Sequence, residues 1–313
     1  LAVTPEERGL KAFLKRRFFL IALFGVLLLV YIPSLFCPFY FDDYRFIIEN
    51  PDIKDFSKVP QLLREFFYVR AWVQISLAVD WWLYQEHIYG MHLTNLLIHL
   101  FNTWIVYKLA HRLFGIFQGE TFYPSRSSLS IPLGIVTAFV FALHPLQTES
   151  VTYIISRSSM MVTCAYLLSF WALLEIVVRR RIPERLVLWK HLLYLLVISL
   201  VICLGIGLGI GAKENIMTLP IVFLVCLFIY YKKTQQRGYW WDAAVILAPF
   251  ALLFLFYAYM RIQMVGSLFG MTDFTVRTPF VNLLSQIHLI AFYYLPRIVM
   301  PVNLNLDPHL PTI

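Results

Sequence analysis

Eight apolar stretches recur along the chain, at about residues 18–36, 91–110, 130–145, 159–178, 191–211, 216–231, 243–260 and 283–300. Crossing the hydrocarbon core of a bilayer takes about 20 predominantly apolar residues. With no water there to bond its N–H and C=O groups, such a stretch must satisfy them internally, as a helix does. The fifth and sixth are separated only by Ala212-Lys213-Glu214-Asn215, which predicts a tight hairpin. Composition agrees: of 313 residues 60% are hydrophobic and 14% charged, against about half and a quarter in a soluble domain. The expected fold class is all-α, a polytopic membrane helical bundle of about eight transmembrane helices forming one domain over residues 1–313.

The net charge of +8 does not point to nucleic acid. The basic residues fall in clusters between apolar stretches, as at Lys15-Arg16-Arg17, Arg179-Arg180-Arg181 and Lys232-Lys233, and such clusters mark cytoplasmic loops. With the N-terminus cytoplasmic, the alternation holds at every loop and places segment 37–90 outside. There the acids Asp42, Asp43, Glu49, Asp52, Asp55, Glu65, Asp80 and Glu86 outnumber the bases. No small-residue cleavage site follows the first stretch, so it reads as a retained helix. Cys37, Cys164, Cys203 and Cys226 form no framework and no CxxC, which argues against a zinc site. That lack, with compact loops, favours a bacterial inner membrane. Segment 37–90 is too long for a bare loop. Within it, 59–68 and 72–85 carry apolar faces at helical spacing, so they read as amphipathic interfacial helices, with Trp81-Trp82 at the headgroup level. An ending at Ile313, close to a span and just past Asp307-Pro308-His309, raises the expectation of a longer natural protein.

Just past the first stretch, Phe39-Tyr40-Phe41-Asp42-Asp43-Tyr44 sets two adjacent carboxylates at the interface. Ionised carboxylates gain nothing from apolar surroundings, so a pair there points to a function. The inferred topology gathers other polar residues on that face: His92, Asn95, His99, His144, Glu149, Arg157, Lys213 and Glu214. A carboxylate can act as a base toward a hydroxyl or amide. Arg157 and Lys213 can hold a phosphate, one as a fork and one as a point charge. A substrate with its acyl tail in lipid and its phosphate at the interface would bring a sugar to the acids. Plainer readings exist for each. His144-Pro145 can simply end a helix. Glu149 and Arg157 can form a loop ion pair, and Lys213-Glu214 a solvated turn. His92, Asn95 and His99 share a helix face and read first as interhelical hydrogen bonders. The series Gly205, Gly207, Gly209, Gly211 lets another helix approach closely. The coincidence of so many polar groups on one face favours a site.

Four stretches carry a resemblance: FDDYRFIIENP (41–51), GMHLTNLLIHLFN (90–102), FALHPLQTESVTYIISRSSMM (141–161) and AKENIMTLP (212–220). In these the chain resembles the GT-C superfamily of polytopic glycosyltransferases, nearest to the membrane domain of TMTC-type O-mannosyltransferases and their bacterial relatives. The resemblance implies a catalytic Asp in the first extracytoplasmic loop, falling on Asp42 and Asp43. It also implies a polyprenyl-phosphate-linked sugar as donor. His144, Glu149 and Arg157 match the family's HPxxxE and R signature. The tetratricopeptide repeats common in the family are not seen in this sequence.

The expected function is therefore an integral membrane glycosyltransferase moving a sugar to an extracytoplasmic protein or glycan acceptor. Asp42 or Asp43 is the base, and Arg157 and Lys213 grip the phosphate. Glu149 and His144 orient these groups or bind the sugar, and His92 and Glu214 complete the substrate site. The resemblance demands no cofactor, but the two acids leave room for a divalent metal, since hard oxygen ligands suit Mg²⁺ or Mn²⁺. The alternative is a non-catalytic structural subunit held by partner subunits in a larger membrane complex. A transporter is disfavoured, because matched pairs of broken helices are missing.

Overall fold

A computed structural model describes residues 5–64, 70–117, 130–179, 188–235, 238–265, 279–302 and 304. The described secondary structure is helical throughout. Helix α1 (Pro5–Tyr31) tightens into a 3-10 turn, Ile32–Phe36, where Pro33 removes a backbone donor. The chain then passes through the acidic turn into two short helices, α2 (Val59–Arg64) and α3 (Ala71–Tyr84). There follow α4 (Ile88–Phe117), α5 (Ser130–Leu143), α6 (Gln147–Thr152), α7 (Arg157–Arg179) and α8 (Leu188–Ile210). A 3-10 turn, Glu214–Thr218, leads into α9 (Leu219–Thr234), then α10 (Tyr239–Val265), α11 (Pro279–Leu289) and α12 (Leu295–Val299). Proline punctuates several joints: α5 stops one residue before His144-Pro145, and α9 and α12 each carry proline in their first turn.

Among the described residues, five segments are long and apolar enough to cross a membrane: 17–36, 154–177, 189–210, 214–233 and 239–263. The chain is an integral membrane protein. Two of the other expected spans are apolar but short, at 132–143 and 283–299. The remaining one, α4, has ample length at 30 residues, but His92, Asn95, His99 and Asn102 interrupt its apolar sequence. The reason is position. Helix α4 is the hub of the bundle, packed against α1, α3, α5, α6 and α7, and those four polar residues are all buried.

The core has two parts. Leu23, Leu27, Leu96, Ile135 and Ala138 join α1, α4 and α5. A larger cluster includes Leu77, Met91, Leu173, Ile202, Ile216, Phe223 and Ile246, joining α3, α4 and α7 to α8, α9 and α10. Helix α8 is apolar on both sides. Tyr194, Ile198, Ile202 and Ile206 are buried, while Leu193, Leu196, Leu200, Leu204 and Leu208 are exposed. A helix hydrophobic all round has its outer face in lipid.

Helix α3 packs one face firmly into the bundle. Ala71, Val73, Gln74, Leu77, Ala78 and Asp80 are buried against its neighbours α4 and α7. The two tryptophans diverge: Trp81 is partly buried with the Lys54 ammonium 4.7 Å above its ring, and Trp82 is exposed. The second half of the expected 59–68 helix, Arg180-Arg181 of the basic cluster and Asp307-Pro308-His309 lie outside the described residues.

Candidate active site

One end of the bundle brings together the acidic turn, the α5–α6–α7 corner and the α8–α9 hairpin. The Trp72 N–H donates to Gly211 C=O at 3.0 Å, tying α3 to the hairpin. Lys213 Nζ donates to Ser159 Oγ on α7 at 2.9 Å. Glu214 lies between Arg70 (3.7 Å) and Arg261 (3.6 Å).

The acidic turn itself is tightly specified. The Asp43 N–H donates to Tyr40 C=O at 2.9 Å, and the Tyr40 N–H donates back to Asp43 Oδ2 at 3.1 Å. Asp43 Oδ1 accepts the Ile155 N–H at 3.0 Å, across to the corner before α7. Asp43 is thus buried with both oxygens engaged by backbone. Burial pushes its carboxyl above the ordinary range, and the backbone donors oppose that rise. Between these anchors Phe41 has φ 43, a left-handed conformation uncommon for a residue with a side chain. The turn leaves Asp42 exposed, with its N–H donating to the Tyr153 hydroxyl oxygen at 3.1 Å.

Two cavities flank that contact. One of about 670 Å³ is lined by Asp42, Arg45, Asn50, Asp52, Arg70, Gln74 and Ser158. The other, about 540 Å³, is lined by Tyr40, Pro145, Leu146, Glu149, Tyr153 and Leu304, with Cys37 and Pro38. The first is rich in charge and the second mostly apolar. Each is large enough for a small ligand.

The remaining expected site residues divide. Glu149 is exposed in the apolar cavity. Lys213 is half-buried, and burial together with nearby Arg70 lowers its ammonium below the usual lysine range, against the pull of Glu149 and Glu214. Arg157, by contrast, is fully buried. Its guanidinium pairs with Asp80 at 2.6 Å and donates to Asn95 Oδ1 (2.7 Å), Met91 C=O (2.9 Å) and Ser76 Oγ (3.3 Å). With its fork so occupied it lines neither of the two cavities, and its geometry is that of a strut under the corner. The plainer reading of a Glu149–Arg157 loop ion pair does not hold, since the acid paired with Arg157 is Asp80. His144 is likewise engaged: Nδ1 accepts the Leu146 N–H at 3.2 Å, so Nε2 carries the proton donated to Ile298 C=O at 2.9 Å. His92 Nε2 lies 3.0 Å from Cys37 C=O.

Helix α4 uses its polar face as a ladder. Asn95 Nδ2 serves the carbonyls of Val151, Tyr153 and Ile154, His99 that of Ala142, and Asn102 that of Met160. Val151 and Ala142 lie in the last turns of α6 and α5, where carbonyls have lost their intrahelical partners. Among the described residues no three His, Cys, Asp or Glu converge on a metal position, and both Asp43 oxygens are taken.

Sequence reasoning missed Asp80, Arg70 and Tyr153. Asp80 sits on the apolar face of α3, among residues that would otherwise shun a charge, and that misplacement was its signal. Tyr153 lies inside the 141–161 stretch without a motif of its own.

No family model and no solved structure matches the chain. A Caenorhabditis elegans protein O-mannosyl-transferase is 25% identical over 234 residues, covering 71% of this chain and 29% of that protein. Human protein O-mannosyl-transferase TMTC3 is 23% identical over 177 residues, 53% of this chain and 17% of that one. Drosophila melanogaster protein O-mannosyl-transferase Tmtc1 is 27% identical over 154 residues, 45% of this chain and 16% of that one. The matched part is thus less than a third of each of these relatives, and the resemblance of this chain is to the TMTC-type protein O-mannosyl-transferases, a family of the GT-C fold.

Proposed function

We propose that the chain is a membrane glycosyltransferase that takes a hexose, mannose by the names of its relatives, from a polyprenyl-phosphate carrier to a hydroxyl of an extracytoplasmic protein. The observation that carries this reading is the place of Asp42, which lines the charged cavity and is hydrogen-bonded to Tyr153, a residue lining the mostly apolar one. The carrier's chain enters the apolar cavity from the lipid and the acceptor enters the charged one. Asp42 takes the proton of the acceptor hydroxyl as its oxygen attacks the sugar's anomeric carbon. The carbon–oxygen bond to phosphate breaks, and its electron pair leaves with the carrier phosphate. Lys213 and Arg70 balance that charge. Asp43 acts through backbone, fixing the turn that aims Asp42. Arg157 and Asp80 support the corner against which the turn is held.

The test is transfer from polyprenyl-phosphate mannose to a Ser/Thr peptide by the full-length protein in liposomes. Asp42→Asn is expected to slow turnover by at least about 100-fold, the usual contribution of a positioned base, with the melting temperature unchanged. Undiminished turnover in Asp42→Asn defeats Asp42 as the base, and a wild type that transfers no sugar favours the structural-subunit alternative.

A further inference from the structure

Tyr153 has no part in that mechanism, yet the structure fixes it with care. It stands between α6 and the turn Ile154–Ser156 in an extended conformation, φ −81 and ψ 114. Its N–H donates to Glu149 C=O at 3.1 Å, and its C=O accepts from Ser156 N–H at 3.1 Å and from Asn95 at 3.4 Å. The phenol therefore leaves a clamped backbone and reaches the acidic turn, where its oxygen is the acceptor of the Asp42 N–H. A hydroxyl that accepts in this way still has its own proton to donate. Among the described residues nothing accepts that proton. The ring lines the apolar cavity beside Tyr40, Thr148 and Glu149.

We infer, on the sugar-transfer reading above, that Tyr153 binds the hexose itself: its O–H donates to one ring hydroxyl, while Glu149 accepts from another. A sugar is a neutral polyol that both gives and takes hydrogen bonds. A phenol donor, a carboxylate acceptor and the aromatic ring of Tyr40 on one wall answer both needs. An anionic phosphate is less suited to this spot, because Asp42, Asp43 and Glu149 all act on the phenol. Burial and these acids push the phenol up to about 12, so it remains a donor at any ordinary working pH. The arrangement makes Tyr153 a determinant of which hexose is accepted.

Polyprenyl-phosphate mannose and each of its monodeoxy forms, given to wild-type and Tyr153→Phe full-length protein, test this. The variant is expected to transfer the parent sugar about tenfold more slowly by kcat/KM, the scale of one neutral hydrogen bond in a closed site. With one monodeoxy donor, which the wild type also transfers about tenfold more slowly, the two proteins should be equal. An unchanged parent-to-deoxy ratio in the variant at every ring position overturns the inference. So does a wild type that transfers every monodeoxy donor as well as the parent, which needs no variant at all. Equal melting temperatures of the two proteins in detergent confirm that the comparison is between folded chains. A wild type that transfers sugar from none of these donors overturns the glycosyltransferase reading, and this inference with it.

Discussion

Arg157 and Lys213 look alike in the sequence, each a cation beside an apolar stretch on the same face of the bundle. The structure separates them. Arg157 is sealed at 0% exposure, paired with Asp80 and hydrogen-bonded to Asn95, Ser76 and Met91. Lys213 stays half-buried at the hairpin, with Ser159 as its hydrogen-bond partner and acids nearby. The same split runs through the other polar residues. His92, Asn95, His99, Asn102, His144 and Asp43 each meet at least one backbone group inside the protein, whereas Asp42, Glu149 and Arg70 border cavities. On the proposed function, the first group joins helices and the second faces the substrates.

The largest test of this division is Arg157→Met. It strands the buried Asp80 carboxylate, and removing one partner of a buried pair costs about 3–5 kcal/mol. Thermal unfolding in detergent should show that loss. Lys213→Met should leave unfolding nearly unchanged and slow sugar transfer instead. Replacing Asp80 as well, by Leu, should restore most of what Arg157→Met loses, since an apolar pair leaves no buried charge behind. If Lys213→Met destabilises as much as Arg157→Met, the two cations belong to one class and the division fails.

Asn95→Ala probes the joining class one step down in size. One amide there serves the carbonyls of Val151, Tyr153 and Ile154, and its oxygen accepts from Arg157. Leaving such groups buried without partners costs about 1–3 kcal/mol. Glu149→Gln, at the cavity, should change unfolding by much less. A neutral Asn95→Ala would show that the corner before α7 does not depend on α4.

The helices and the acidic turn were legible because apolar length, basic clusters and proline punctuation are local signals. The pairing of Arg157 was not legible, because its partner Asp80 is far away in sequence and sits on a helix whose pattern suggested the membrane surface. Nor could sequence rank Asp42 against Asp43. Their difference arises from Phe41 at positive φ and from the Ile155 N–H, which only the folded chain brings together. The glycine series in α8 was read correctly as permitting close approach, but on one face only. A Cβ on Gly209 would meet Ile216 Cγ1 at 2.5 Å and Cβ at 2.8 Å, while one on Gly207 would meet nothing within 4 Å. Gly209→Ala should therefore cost about 1–3 kcal/mol through overpacking, and Gly207→Ala should gain about 0.5–1 kcal/mol through helix propensity. Equal unfolding midpoints for the two variants would mean that the hairpin turn is not packed on α8.

The smallest expected effect sharpens the contrast between the twin acids. Burial raises the Asp43 carboxyl above its ordinary value of 3.8. The folded chain then holds this proton more tightly than the unfolded chain does. As pH rises from the ordinary carboxylate value through the raised one, the unfolded chain gives up the proton first. Stability is therefore lost across that window and level above it. Asp43→Asn has no proton to release there and should show no such loss. Unfolding midpoints in detergent, taken across pH for wild type and variant, give the difference curve directly. A curve that falls with rising pH places Asp43 among the residues that hold the chain together. A curve that rises would mean that the Tyr40 and Ile155 donors outweigh burial, and a flat curve would mean that Asp43 titrates like Asp42 and would reopen which of the two carboxylates meets the acceptor.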